Sequence, residues 1–304
     1  MGLLRTVYAK LFLYDPQAEN DMKPSTTDLI QRAANDILQS KHAIALTGAG
    51  ISTESGIPDF RGPDGIWTRN PELEQKAYEA YRDFNDDPKK WWIDQLEGPV
   101  NIIEEWGKAT PNAGHFALAE LEKTKHLKGI LTQNIDNLHQ KAGSKIVVDY
   151  HGNIFKLRCL NCNSRYPLEK YDVEQMKMKG ELPPRCKSCG DPLKPDVVYF
   201  GEPIPADVSS ESEQEAYQCD LMMVCGTSAV VYPFAGLPIL ASGKQRSSLD
   251  SFLNFGLQPN TPAVIFEIND EPTPLTHEGI SSYLIQGKTG EILPQIVAAV
   301  RAKA

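Results

Sequence analysis

Five short apolar runs, each closing on small or polar residues, constrain the fold of this chain more than any other feature. They read HAIALTGAG from His42, GILTQN from Gly129, KIVVDYHG from Lys145, CDLMMVCGTS from Cys219 and PAVIFEIND from Pro262. Each is apolar on consecutive rather than alternate residues, so each reads as a strand covered on both faces. Helical spacing supplies the cover. TTDLIQRAANDILQSK sets Leu29, Ile30, Ala33, Ala34, Ile37 and Leu38 on one side, with Thr26 or Thr27 as cap, and HFALAELEKTKHLKG is a second such helix. The pattern describes an α/β fold, a doubly wound parallel sheet whose ligand lies at the carboxyl ends of the strands.

Three excursions interrupt it. Residues 63–110 read as helical and rich in aromatics (Trp67, Tyr78, Tyr81, Phe84, Trp91, Trp92, Trp106), and residues 242–261 read as a polar surface loop. Residues 152–199 hold several prolines and two C-x-x-C pairs, Cys159 with Cys162 and Cys186 with Cys189. Four thiolates so spaced suit a closed tetrahedral zinc, structural because no coordination position is left for a substrate. Counting alone leaves open a set of three cysteines with His151, which lies just ahead of Cys159. Cys219 and Cys225 sit in apolar surroundings, and the paired spacing favours metal over disulfides and hence a reducing compartment.

The polar run ends carry the candidate chemistry. LTGAGISTESGIPDFRG packs Gly48, Gly50 and Gly56 beside Ser52, Asp59 and Arg61. Two readings fit: a phosphate cradle backed by a following helix start, or a tight strand-to-helix turn. Thr53 occupies the third position of a G-x-G-x-x-G, so that motif is incomplete. Arg61 pairs with a phosphate or leaving group, or else is a solvated surface arginine. Gln133, Asn134 and Asp136 end a strand where side chains enter a ligand crevice, with helix capping by Asn134 or Asp136 as the alternative. Gly226, Thr227 and Ser228 offer small donors, and Asn269 and Glu271 are available to ribose hydroxyls.

Composition narrows the class. A chain of 304 residues, 41% hydrophobic and 23% charged, has the make-up of a soluble globular protein. A net charge of -9 argues against general nucleic-acid binding, which normally shows a basic surplus. No apolar run approaches the roughly 18–20 residues of a membrane span. Residues 1–25 are expected to be an extension packed on the domain. Leu3, Val7 and Leu11 at helical spacing, with Arg5 and Lys10, leave an organelle-targeting peptide open, and Gly2 with Thr6 fits a loose myristoylation pattern.

Taken together, GAGIS, GIPDFRG, TQNIDNLHQKAG, the HG of His151, the paired C-x-x-C, VVYFGE, GTSAVVYP, INDEPTP and GKTGEILP resemble the sirtuin family of NAD-dependent protein deacylases, from Thr26 to Val300. The resemblance implies a Rossmann-like NAD-binding domain (26–62, 111–151 and 200–304), a helical insertion (63–110), and a smaller zinc-binding module (152–199). NAD and an acyl-lysine protein substrate would share the cleft between them. By the same resemblance, Gly48, Ala49, Gly50 and Ser52 cradle the phosphates, and Asp59, Phe60 and Arg61 belong to a loop over the nicotinamide ribose. Gln133, Asn134, Ile135 and Asp136 line the ribose and nicotinamide pocket. Gly226, Thr227, Ser228 and Asn269 serve the adenosine half, with Glu271 beside them as a cofactor-binding candidate.

Val198, Phe200, Gly201 and Glu202, with Val230 and Val231, would flank an extended peptide. His151 and Asn134 are the implied catalytic residues, and Cys159, Cys162, Cys186 and Cys189 the implied zinc ligands. The implied chemistry has the acyl oxygen displace nicotinamide at C1′ of the ribose, giving an alkylamidate, with His151 as general base for a ribose hydroxyl. Free lysine, nicotinamide and O-acetyl-ADP-ribose would be released. The family's acid-selective members carry a Tyr and an Arg three residues apart. YEAYRDF lacks that spacing, so a neutral acyl group such as acetyl is expected. Lys194, where Arg-Pro is common in the family, is a mild departure. Desuccinylation, long-chain deacylation or mono-ADP-ribosyl transfer on the same fold are the alternatives, and a non-enzymatic NAD-binding scaffold is a further one. The expected compartment is intracellular, cytoplasmic or nuclear, with the mitochondrion open through the N-terminal segment.

Overall fold

The computed structural model describes residues 24–98, 102–243 and 262–304, so the N-terminal segment and nearly all of the 242–261 loop lie outside the described residues. The elements begin α1 (Thr26–Gln39), β1 (Ala43–Thr47), α2 (Ile66–Arg69), α3 (Pro71–Asp86), α4 (Pro88–Glu97), α5 (Ile102–Gly107) and α6 (Ala113–Lys123). They continue β2 (Gly129–Thr132), α7 (Leu138–Ala142), β3 (Val147–Asp149), β4 (Gly152–Cys159), β5 (Arg165–Pro167), α8 (Val173–Lys179) and β6 (Leu193–Val197). The last are α9 (Ala206–Gln218), β7 (Leu221–Cys225), α10 (Leu237–Ser242), β8 (Val264–Asn269), α11 (Pro274–His277), β9 (Tyr283–Gln286) and α12 (Thr289–Lys303).

The five apolar runs supply β1, β2, β3, β7 and β8 of a six-stranded sheet in the order β3-β2-β1-β7-β8-β9, parallel throughout. Strand alternation splits each run between two cores. Ala43 and Ala45 of β1 join Leu221 and Met223 of β7 under Ile30, Ala33 and Ile37 of α1, Leu118 of α6 and Ile296 of α12. Ile44 and Leu46 join Met222 and Val224 on the opposite face, with Ala216 of α9 and Leu237 of α10. Helix α1 begins one residue earlier than the threonines suggested: Ser25 and Asp28 form a capping box, each side chain accepting the other's backbone N–H. That reciprocal geometry needs an acid three residues after the cap, which Ser25 has.

A second, antiparallel sheet, β5-β4-β6, grows from the end of β3. Gly152 makes the corner. Its φ of 83° lies in the left-handed region, and a Cβ there would sit 1.8 Å from the Asp196 carbonyl oxygen. The aromatics of residues 63–110 divide among three places. Phe84, Trp91 and Trp92 pack with Leu157, Cys159, Leu182 and Leu193 to form the core of this small sheet, and Trp92 Nε1 donates to the Leu193 carbonyl at 2.8 Å. Trp106 packs with Ile57, Leu138 and Ile154, bridging the two sheets. Trp67 and Tyr78 go to the edge of the cleft.

Beneath the small sheet lies a buried ionic cluster. Arg158 Nε donates to Asp196 at 2.8 Å and Nη2 donates to Glu202, whose other oxygen lies 3.1 Å from Lys194 Nζ. Lys194 is fully buried, also donates to the Pro195 and Val197 carbonyls, and is pushed down to about 8 by burial. This lysine is therefore a structural cation. Removing one member leaves two buried cations short of an anion, so Glu202→Ala is expected to cost about 3–5 kcal/mol. Urea unfolding checks this; an unchanged midpoint would show the cluster to be energetically idle. No helix among the described residues is long and apolar enough to cross a membrane.

Candidate active site

The strand order reverses between β1 and β7, which opens a crevice at the carboxyl ends of these strands. Two loops meet there, backbone to backbone. Gly50 N–H donates to the Gly226 carbonyl at 2.8 Å, and Gly48 N–H to that of Cys225 at 3.1 Å. A Cβ on Gly48 would lie 2.7 Å from Thr227 Cβ, and one on Gly226, at φ 60°, 2.4 Å from Ile51 N. These glycines let the loops close on each other. The α-helix start expected after them is instead a pair of 3-10 turns, Ala49–Ile51 and Thr53–Ser55.

The loop after β2 is wired into the loop after β1. Asn134 Nδ2 donates to the Gly48 carbonyl at 3.0 Å and to Ser52 Oγ at 3.1 Å, and Ser52 Oγ donates to Asp136 Oδ2 at 2.7 Å. The other Asp136 oxygen accepts Leu138 N–H at 2.8 Å, so the carboxylate serves the start of α7 and the crevice together. Burial raises the Asp136 carboxyl above its ordinary value, opposed by the Leu138 and Ser52 hydrogen bonds. Gln133 Nε2 reaches Thr227 Oγ1 at 3.3 Å, tying the β2 and β7 loops, and the Ile135 carbonyl accepts Ile154 N–H at 3.0 Å.

His151 stands where the two sheets join, just past β3. Its carbonyl accepts Val198 N–H at 2.9 Å, and its ring lies 5.4 Å from Tyr150 and 6.2 Å from Phe234, centroid to centroid. Surrounding protein pushes the imidazole down to about 4, although a hydrogen bond with the Gln133 backbone works the other way. The ring is therefore neutral at pH 7. A neutral imidazole with one nitrogen committed to a backbone group keeps the other for proton exchange.

The remaining predicted residues frame the crevice. Asp59 Oδ1 accepts Gly62 N–H at 3.1 Å, Phe60 packs at 4.7 Å from Trp67, and Arg61 lies over the Trp67 ring at 4.5 Å and 3.4 Å from Glu74. Phe200 stacks on Tyr78 at 4.2 Å and approaches Trp67 at 5.6 Å. An aromatic series thus links the 59–61 loop to the 198–201 segment. Ser228, Val230, Gly201 and Glu271 are exposed, and Val198 and Val231 are half-buried. Asn269 Nδ2 donates to the Glu271 carbonyl at 2.9 Å. Glu202 departs from the expected peptide flank: its carboxylate turns inward to Arg158 and Lys194. Burying that charge is tolerable only beside cations, and both lie behind the segment.

The four cysteines converge. Their Sγ atoms all lie within 4.8 Å of one another, with Cys159–Cys189, Cys162–Cys186 and Cys162–Cys189 at 3.5 Å. A tetrahedral zinc with bonds of about 2.3 Å needs sulfur–sulfur edges of about 3.8 Å, so this set fits the ion. His151 is not in the group. Cys219 and Cys225 are buried, as their apolar neighbours implied.

Comparison with known proteins decides the family. The Sir2 family model matches residues 48–233. A protein of Pyrobaculum aerophilum named NAD-dependent protein deacylase 2 is 40% identical over 273 residues, 89% of this chain and 95% of its own. The chain belongs to the Sir2 family. NAD-dependent protein deacylase 2 of Archaeoglobus fulgidus is 42% identical over 275 residues, 90% of this chain and 97% of its own. Among solved structures, a Sir2 homologue in complex with NAD is 37% identical and superimposes with a TM-score of 0.66, covering 90% of this chain and 94% of its own. A Sir2 protein bound to a myristoylated histone peptide is 36% identical, with a TM-score of 0.61 over 91% of this chain and 99% of its own. Sequence reasoning about this Sir2 chain passed over Thr47, Thr132, His115 and His139, which back the crevice. Their one signal is polar side chains at positions the strand and helix patterns bury.

Proposed function

We propose that this Sir2 chain is an NAD-dependent protein-lysine deacylase that favours neutral acyl groups such as acetyl, with His151 as its general base. The observation that carries this reading is the position of His151. It is a neutral imidazole at the joint of the two sheets, its carbonyl bonded to Val198 of the proposed peptide flank and its neighbour Gln133 in the crevice. The peptide lies extended along Val198, Phe200, Gly201, Val230 and Val231, and Glu202 supports that segment from beneath.

The residues fit a dinucleotide. Loops meet at the strand-order reversal, with Ser228, Asn269 and Glu271 at the outer end and Asn134, Ser52 and Asp136 at the inner end. When bound, NAD supplies the ribose carbon that the acyl oxygen attacks as nicotinamide departs. His151 accepts the proton of a ribose hydroxyl. Asn134, held by Gly48 and Ser52, orients the nicotinamide ribose, and the Phe60–Trp67–Phe200 series keeps water from the inner crevice. Cys159, Cys162, Cys186 and Cys189 hold a structural zinc, closed by four thiolates. On this reading 152–199 form the zinc module, 63–110 the helical insertion, and the rest from residue 26 the NAD-binding domain.

Arg82, the one arginine within α3, is exposed and paired to Asp83 at 3.2 Å, and Tyr78 stacks on Phe200. Neither is arranged to receive an acidic acyl group. A panel of acetyl-, succinyl- and myristoyl-lysine peptides, incubated with NAD and the purified chain, tests this. Acetyl or myristoyl turnover should exceed succinyl turnover at least tenfold, roughly the discrimination lost when a charged group lacks its partner. A succinyl preference would overturn the neutral-pocket reading. The myristoyl arm matters because a structural relative holds a myristoylated peptide.

A further inference from the structure

Two buried histidines have no part in the chemistry above. His115, in the first turn of α6, and His139, in α7, are 0% and 1% exposed, and their ring centroids lie 4.9 Å apart. Burial pushes His115 down to about 4 and His139 well below the ordinary histidine value, so both rings are neutral at pH 7.

The backbone selects the tautomer of His115. Asn112, the N-cap of α6, donates its N–H to His115 Nδ1 at 3.4 Å. An accepting nitrogen carries no hydrogen, so neutral His115 is protonated at Nε2. That Nε2 has no hydrogen-bond partner among the described residues, and neither has His139 Nδ1. The other nitrogen of His139, Nε2, lies 2.9 Å from Thr47 Oγ1, which lies 2.8 Å from Thr132 Oγ1. Thr132 Oγ1 accepts the Asn134 backbone N–H at 3.0 Å.

The His139–Thr47–Thr132 part of this chain can run in either direction, while the Asn134 N–H always donates. In one, His139 Nε2–H donates to Thr47 and Thr47 donates to Thr132, which leaves His139 Nδ1 as a lone pair beside a ring that needs an acceptor. In the other, His139 carries its hydrogen on Nδ1, and two buried N–H donors sit on adjacent rings with no acceptor between them. An unsatisfied buried donor is costly, so the first direction wins. The His115 donor and the His139 acceptor can then satisfy each other through one shared water.

We propose that His115 and His139 are positioning residues: both in the Nε2–H tautomer, they set a single direction of hydrogen bonding from His139 through Thr47 to Thr132, the hydroxyl that also accepts the Asn134 backbone N–H. This rests on the deacylase reading, in which the Asn134 side chain orients the ribose. The chain fastens the tips of β1 and β2, so it acts on the residues that follow them, Gly48 and Gln133. The histidines touch neither NAD nor peptide in this scheme.

Long-range proton–nitrogen NMR of the ¹⁵N-histidine-labelled protein at pH 7 tests it, alongside steady-state kinetics. The wild type should show both rings as Nε2–H. His115→Phe should shift His139 toward the Nδ1–H form and lower kcat about tenfold, with KM for the acetyl-lysine peptide changed by less than about twofold. His115→Gln, which keeps a donor at the same depth, should recover most of kcat. A wild-type His139 found as Nδ1–H would overturn the proposal, and so would a His115→Phe protein with unchanged tautomer and kcat. Should His115→Phe fail to fold, the wild-type spectrum still decides. Absence of acyl-dependent turnover in the wild type would instead sink the deacylase reading and leave the tautomer result legible.

Discussion

His151→Ala is expected to lower acyl-lysine turnover by about 10²–10⁴-fold, the range that a positioned general base supplies. Zinc content should not change, because His151 lies outside the four-sulfur cluster. The thermal transition should move little, since the Val198 N–H to His151 carbonyl bond that joins the two sheets there belongs to the backbone and survives the substitution. The pH profile adds a sign. With the imidazole held down to about 4 rather than 6.5, the base form persists on acidification. The acidic limb of kcat/KM should therefore lie below 6.5 in the free enzyme. Stability works in the opposite sense for the same group. Between the ordinary value and the depressed one, the unfolded chain binds the proton that the folded chain refuses, so stability falls as pH drops through that window and is unaffected above it. His115, also near 4, adds to the same acid sensitivity. Loss of zinc from His151→Ala, or activity near wild type, would dissolve the separation of catalysis from metal binding.

The second large effect concerns the metal. Cys186→Ser, or prolonged treatment with a strong chelator, is expected to remove zinc and abolish turnover. The small sheet buries Cys159 and Cys186 in the same core as Trp91, Trp92 and Leu193. Four thiolates brought within 4.8 Å repel one another when no cation holds them. Structural zinc contributes about 10–16 kcal/mol in isolated small modules. Here the tryptophan core and the Arg158–Asp196–Glu202 cluster supply part of the hold, so the expected outcome is a lower, broader transition rather than complete unfolding. Elemental analysis should find about one zinc per wild-type chain and almost none in the variant. A zinc-free variant retaining full activity would show that the module does not depend on the ion.

The architecture was legible because the strands of a buried parallel sheet announce themselves as uninterrupted apolar runs. Their polar ends then fall at one edge of the sheet by geometry alone, which is why Gly48, Gln133, His151, Gly226 and Asn269 group together in the sequence pattern itself. The cysteine pairs were legible because thiolate spacing has few uses. What stayed hidden depended on contacts between distant segments. GAGIS announces a glycine turn, but only the approach of Gly48 to Thr227 and of Gly50 to Gly226 explains why glycine is needed. Glu202 follows a glycine in an apparently exposed motif, and its inward turn depends on Arg158 and Lys194 arriving from two other strands. The aromatics of residues 63–110 carry no label for whether each will join the core of the small sheet, the packing between the sheets or the edge of the cleft. His115 and His139 read as ordinary helix residues until their rings are seen side by side.

The most direct test of the central claim is the stoichiometry of nicotinamide release. With NAD in excess and a limiting acetyl-lysine peptide, the purified chain should release one nicotinamide for each lysine unmasked, and essentially none when the peptide carries unmodified lysine. Nicotinamide release that proceeds without acyl-lysine, or no release in either case, would contradict it.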